Sequence, residues 1–325
     1  MKKIMKRISA ILACTMLTVS LFSGCGSSDG STQQAKTKDT FVIAYAPNES
    51  TEESADAREG LAKDLEKELG MKVEEIQASD YNAIVEALRT GKADAAYIGA
   101  LAIAYANDRA EAIPVAMKAP GGDKAQAVYH SLLITSSKND DINSIEDIKG
   151  KSIAFVDPES TSGNLFPMYD IIKAFPDEQL TSDDLHTNGK FFSATSYSGK
   201  HQAGLQAVIK GDVDVVPISD QILNSEFENG NANKDDVKII HTSDSIPAEG
   251  FVVSKSVSED VRNQFQQFLI NYGNKDYFEK VIKVPDARFV EASIDDYKIV
   301  IDLNKTMNTE PVSYTHLRAH ETLMN

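Results

Sequence analysis

Ser152-Ile-Ala-Phe-Val-Asp-Pro-Glu-Ser-Thr-Ser-Gly163 carries a strand, a break and a helix start in one short stretch. The apolar run from Ile153 to Val156 reads as a buried strand. Asp157-Pro158 ends it, because proline donates no N–H and pushes the residue before it away from helical angles. Ser160, Thr161, Ser162 and Gly163 then open a helix with apolar positions at Leu165, Phe166, Met168, Ile171 and Ile172. The first N–H groups of a helix lack intrahelical partners and carry roughly half a positive charge. Three hydroxyls crowded at such an end, with those N–H groups, suit a tetrahedral oxyanion. One hydroxyl as an ordinary N-cap, with the other two in solvent, fits the same residues equally well.

Outward from this unit, short apolar runs alternate with amphipathic stretches. Towards the N-terminus, strands are expected at 41–46, 72–78, 95–98 and 113–119, with helices at 50–69, 80–90 and 101–109. An extended stretch at 127–136 leads into a polar segment, 141–151. Beyond the quoted stretch, strands are expected at 191–194, 213–218 and 237–241, with helices at 200–210 and 219–227. A strand at 251–254 and helices at 257–272, 275–280 and 293–307 complete the chain. This alternation argues for an α/β fold of mostly parallel sheets flanked by helices. The natural division is one lobe of residues 41–134 plus 246–310 and an inserted lobe of residues 135–245, joined by two extended crossings.

The chain is 325 residues long, 42% hydrophobic and 25% charged, enough for two ordinary globular domains. Its first 24 residues read as a signal peptide: Lys2, Lys3, Lys6 and Arg7 precede an apolar run, Ile8 to Phe22, too short to span a membrane. Ser23-Gly24-Cys25 resembles a bacterial lipobox, which makes Cys25 the expected lipidation site and residues 25–40 a flexible tether. Cys14 leaves with the signal, so no intrachain disulfide or cysteine metal site is available to the mature chain. Four basic and no acidic residues leave with it too, taking the net charge from −16 to −20. So acidic a chain has no basic stripe for nucleic acid, and an anion site must win locally through short hydrogen bonds. Val312 to Thr322 resembles the translation of a transposase sequencing adapter, so residues 311–325 are expected to be non-native.

No catalytic pattern is present. Gly150-Lys151-Ser152 ends like a phosphate-binding loop, but Ile145 stands where the first glycine belongs. There is no Gly-x-Ser-x-Gly elbow and no His-Glu-x-x-His pair. Outside the tail, His130, His186, His201 and His241 lack metal-ligand spacing, so neither metal nor cofactor is expected. His201 alone stands out, at the start of the helix that holds Ala203, Leu205, Ala207 and Val208. It is either a donor at a second helix N-terminus or a partly exposed first-turn residue.

The order of motifs resembles the substrate-binding proteins of phosphonate ABC importers. The match runs through Asp80-Tyr81 to Asp94, Ala96-Tyr97-Ile-Gly99, Val128-Tyr129-His-Ser131 and Ile145-Glu-Asp147-Ile-Lys-Gly150. It continues in Asp157-Pro158-x-Ser160-Thr161-Ser162-Gly163, Ser198-Gly-Lys-His201 and Ala207-Val-Ile-Lys-Gly211-Asp-Val-Asp214. The resemblance implies a two-lobed, type II periplasmic-binding-protein fold with the ligand between the lobes. It implies that Ser160, Thr161, Ser162, His201 and Tyr81 hold the phosphonate oxygens. It implies that carboxylates at the far end take a ligand ammonium, where this chain has Glu249 and, in place of the second acid, Gln221. Tyr97 and Tyr129 either line the cleft or pack at the domain face.

The function so implied is that of a lipid-anchored, extracytoplasmic receptor. It is expected to be a monomer, not an enzyme, and to deliver a phosphonate-type anion to an ABC permease and its ATPase. A receptor for phosphite, hypophosphite or another small oxyanion is the nearest alternative, for which Gln221 raises no difficulty. A lipid-anchored hydrolase is a remote one, lacking a nucleophile–base pair. A sensory domain signalling to a membrane kinase is disfavoured, because no spanning helix follows residue 25.

Overall fold

The computed structural model describes residues 39–308. The expected signal peptide, Cys25, residues 25–38 of the tether and the 311–325 tail lie outside the described residues. The first half contains β1 (Thr40–Tyr45), α1 (Ala55–Leu69), β2 (Lys72–Gln77), α2 (Tyr81–Arg89), β3 (Ala95–Ile98), α3 (Ala100–Ala110) and β4 (Ile113–Ala119). Then come β5 (Val128–Tyr129), β6 (Ser131–Ser136), β7 (Ser152–Phe155), α4 (Phe166–Ala174), α5 (Ser182–His186), β8 (Ala194–Tyr197) and α6 (His201–Lys210). They are followed by β9 (Val215–Ser219), α7 (Asp220–Glu228), β10 (Val237–Thr242), β11 (Ile246–Pro247) and β12 (Gly250–Val253). The chain closes with α8 (Glu259–Asn271), α9 (Lys275–Lys280), β13 (Arg288–Glu291) and α10 (Lys298–Asn308).

Two sheets result. The first has strand order β13-β4-β12-β3-β1-β2 and the second β10-β6-β9-β7-β8. In the first, β1 to β4 share one direction, while β12 and β13 return antiparallel. In the second, only β6 runs against its neighbours. The strands therefore run mostly in one direction, and the exceptions come where the chain re-enters a sheet after a crossing or at its C-terminal end. Between the sheets, β5 and β11 pair over two residues each. β6 pairs inside the second sheet from Ser131 onward, so the outward crossing lies at β5, before the boundary set at residue 134. Likewise β1 takes in Thr40, the last residue assigned to the tether.

Each sheet is covered on both faces. Along β1, Phe41, Ile43 and Tyr45 join the core beneath α1, α8 and α9, while Ala44 and Ala46 join the opposite core with α2 and α3. Strand alternation sets this split, and burial of both faces is why Phe41-Val-Ile-Ala-Tyr-Ala46 reads as an unbroken apolar run. One apolar cluster links Ile84, Val85 and Ile103 to Phe155 of β7 and to Phe166 and Tyr169 of α4. The apolar pair Phe191 and Phe192, read as a strand, instead fills that core from a bend. Their rings meet edge to face at 4.9 Å, and Phe175 lies 4.8 Å from Phe191. The strand follows them, as β8.

Candidate functional site

The carboxyl ends of the strands face the crevice between the sheets, the place where open α/β sheets bind ligands. At the end of β7 the chain turns through Asp157-Pro158 and closes back on itself, Val156 N–H donating to the Gly163 carbonyl at 2.9 Å. Ser160 caps the new helix, its Oγ accepting from Gly163 N–H at 3.0 Å. The first turn is wider than expected. Residues Thr161–Leu165 form a π turn, with Leu165 N–H reaching back to the Ser160 carbonyl at 3.1 Å, before α4 begins. The hydroxyl trio is almost wholly buried, at 2% to 3% exposure. Only glycine fits at position 163: a Cβ there would stand 2.4 Å from Val156 Cβ and 2.7 Å from Ser160 Oγ. Gly163→Ala should therefore lower stability by about 1–3 kcal/mol, read as a shifted urea midpoint. An unchanged midpoint would mean that the loop has slack that its packing does not indicate.

Two further helices aim polar groups at the same place, and the reason is periodicity. In α6 the buried residues are His201, Gly204, Leu205 and Val208, so His201 is the first member of the core-facing stripe. In α2 the stripe is Tyr81, Ile84, Val85 and Leu88, again starting on the polar residue, with Asp80 capping the helix through Ala83 N–H at 2.8 Å. Ser162 Oγ and His201 Nε2 lie 3.3 Å apart. Burial lowers the His201 pKa to about 4, opposed only in part by the Pro217 carbonyl and the Glu249 charge. Nδ1 has no hydrogen bond of normal geometry, so the Pro217 carbonyl acts from nearby rather than as a full partner. The ring is neutral at pH 7.

Ser160, Thr161, Ser162, His201, Tyr81, Tyr129 and Glu249 surround one cavity, completed by Ala46, Asn48, Glu49 and Gly99. It leaves only about 10 Å³ for the centre of a water-sized sphere, roughly one sphere's worth. Without movement of its walls it holds about one water-sized group. Both sheets contribute, and hydrogen bonds cross between them. Thr161 Oγ1 accepts from Leu101 N–H of α3 at 2.9 Å. Asn48, in the turn after β1, donates through Nδ2 to the Tyr81 hydroxyl and accepts His201 N–H at 3.0 Å. Arg109 of α3 reaches Glu159 at 2.7 Å. Tyr129 joins the trio through the Ser162 and Thr161 side chains, while burial pushes its phenol up.

Two acids, Glu249 and Glu49, also line the cavity, and Lys118 stands behind Glu249. Glu249 follows β11 and is paired with Lys118 of β4 at 2.6 Å. Glu49 points an unpartnered, buried Oε2 at the cavity, although the residue as a whole is partly exposed. Burial, then the Glu249 charge, raises Glu49 to about 8. Asn48, Glu49 and Lys118 were not singled out from the sequence. The first two come three and four residues after a buried strand, much as Asp157 comes two residues after β7. Lys118 interrupts an apolar strand, and a lysine there demands a partner.

Two candidates do not line the cavity. Strand alternation sends Tyr97 to the other face of the sheet, where it packs on Phe251 at 5.1 Å and Phe289 at 6.3 Å. Gln221 lies in the first turn of α7 beside β5, its Nε2 directed at the Val128 carbonyl at 3.5 Å. Its neighbour Asp220 is held by His130 Nδ1 at 3.2 Å. Among the described residues no group of three or more His, Cys, Asp or Glu side chains is arranged to hold a metal ion.

The model of a family described as "ABC transporter, phosphonate, periplasmic substrate-binding protein" matches residues 43–297. The chain belongs to that family. Other members are recognisably related along most of the chain. The phosphate-import protein PhnD of Mycolicibacterium smegmatis is 27% identical over 278 residues, 84% of each chain. The phosphonates-binding periplasmic protein of Escherichia coli is 32% identical over 215 residues, 65% of this chain and 60% of that one. The binding-protein component of an ABC phosphonate transporter from Pseudomonas aeruginosa superposes with a TM-score of 0.69 at 22% identity, over 88% of this chain and 94% of that one. A Prochlorococcus marinus protein solved with methylphosphonate gives 0.70 at 20% identity, over 83% and 98%. These structures share the two-lobed fold. As a family member, the chain takes its place among the extracytoplasmic substrate-binding components of ABC importers.

Proposed function

We propose that this chain captures a small phosphonate-type anion between its two lobes and presents it, from a lipid anchor at Cys25, to an ABC permease and its ATPase. The observation that carries this reading is the meeting of two helix beginnings at one cavity. The trio at 160–162 and the imidazole of His201 supply neutral donors from one lobe, and Tyr81 supplies a hydroxyl from the other. Neutral donors suit a protein whose overall charge repels anions, since short hydrogen bonds act where the long-range field is unfavourable. The oxygens would sit on Ser160, Thr161, Ser162, His201 and Tyr81, with Tyr129 and Glu249 beside them. β5 and β11 would act as the hinge, and closure is favoured by the contacts that only the closed form makes. The protein acts as a monomer and makes or breaks no bond.

The same geometry supports a second reading, a receptor for phosphite or phosphate, because the cavity is small and Glu249 is already paired. Titration calorimetry with methylphosphonate, ethylphosphonate, phosphite, phosphate, sulfate and methanesulfonate separates the two. Tightest binding of an alkylphosphonate is the expected result. Preference for phosphite or phosphate would replace it with the second reading, and preference for a sulfonate would remove both.

A further inference from the structure

Lys118 is the sixth residue of Ile-Pro-Val-Ala-Met-Lys-Ala, an otherwise apolar strand, and its side chain is only 4% exposed. Lysine is almost never buried unless paired. Here the pairing is built into the sheet. Lys118 N–H donates to the Glu249 carbonyl at 3.1 Å, which fixes the two side chains next to each other. Nζ then lies 2.6 Å from Glu249 Oε2, within ion-pair distance although not aligned as a hydrogen bond, and 5.7 Å from the centre of the Tyr129 ring. Glu249 lines the cavity and Lys118 does not. The ammonium therefore reaches the carboxylate from behind the wall, leaving the ligand space free.

Among the described residues, no other acid at that end is ready for a second cation. Gln221 is an amide directed at Val128, and Asp220 is engaged by His130. Glu49 is mostly the neutral acid at pH 7, because burial and the Glu249 charge raise it to about 8. A ligand ammonium would have to share Glu249 with Lys118 across a short distance, or force Glu49 to ionise. An alkyl group or a hydrogen on phosphorus asks for neither.

We infer that Lys118 is a built-in ammonium that occupies the carboxylate of Glu249 and makes this receptor select phosphonates that carry no amine. Lys118 is thus a specificity-determining residue. The inference rests on the phosphonate reading proposed above and deepens it.

Ethylphosphonate and aminomethylphosphonate test it, since they share heavy-atom count and shape and differ by CH₃ against NH₃⁺. Calorimetry on the wild-type protein should give at least tenfold tighter binding of ethylphosphonate. Lys118→Met frees Glu249, and the ratio of the two affinities should move at least tenfold towards the amine. Lys118→Met with Glu249→Gln removes both charges, so it also covers the case in which the single variant fails to fold. Its ratio should return to favouring ethylphosphonate. A wild-type protein that prefers aminomethylphosphonate overturns the inference and leaves the phosphonate reading standing. So does a folded Lys118→Met variant with an unmoved ratio. A wild-type protein that binds neither compound overturns the phosphonate reading itself.

Discussion

Replacing both Ser160 and Thr161 with alanine is expected to weaken phosphonate binding by about 10²–10⁴-fold. Each hydroxyl is already oriented by an N–H that it accepts, from Gly163 for Ser160 and from Leu101 for Thr161. That leaves each O–H proton to donate to an oxyanion. A hydrogen bond to a charged group contributes roughly 1.5–3 kcal/mol, so two amount to about 3–6 kcal/mol, the affinity range just given. Ser160→Ala also removes a helix cap, at a cost of about 1 kcal/mol in stability, so calorimetry should be run well below the variant's melting temperature. Equal affinity in the wild type and the folded double variant would take the trio out of the binding mechanism.

The second large effect is on stability against pH. Glu49 rises from an ordinary 4.5 to about 8 in the folded protein. Between those values the folded state holds a proton that the unfolded chain has released. Its contribution is therefore fully present below pH 4.5 and lost as pH rises through 8, a change of roughly 5 kcal/mol. His201 runs the other way. Its pKa falls from 6.5 to about 4, so its contribution is present above pH 6.5 and lost, by roughly 3 kcal/mol, as pH falls through 4. The two slopes cancel between about pH 4.5 and 6.5, and the Glu49 loss emerges above that. In urea titrations, Glu49→Gln should gain roughly 5 kcal/mol relative to the wild type on going from pH 4.5 to above 8. Parallel profiles for the two proteins would place the Glu49 carboxyl in water.

Much of this architecture was legible in the sequence because parallel strands buried on both faces stand out as continuous apolar runs. β3 and β4 have the limits expected of them, whereas Asp80, read as the first helical residue, is the cap of α2. The hydroxyl cluster after Asp157-Pro158 was legible for the same reason, as a strand end followed at once by a helix start. Tyr97 was ambiguous because its direction depends on which member of an alternating pair faces the crevice, and a fully buried strand gives no polar residue to mark the face. Asn48 and Glu49 sit in an irregular turn with no period to betray them. Only the rule that ligands gather at strand carboxyl ends points there. The pairing of Lys118 with Glu249 depends on two strands 131 residues apart in sequence lying side by side, which no local pattern encodes.

Asn48 has a consequence for time as well as for affinity. One side-chain amide is bonded at one end to the Tyr81 hydroxyl and at the other to the first N–H of α6. Its own backbone belongs to one lobe and α6 to the other, so prising the lobes apart breaks its bond to α6 along with those of Leu101 to Thr161 and Arg109 to Glu159. The grip on α6 lets go in a single event, and that event orphans a buried amide oxygen until water arrives. The lifetime of the closed form is expected to depend on that asparagine, beside Thr161 and Arg109.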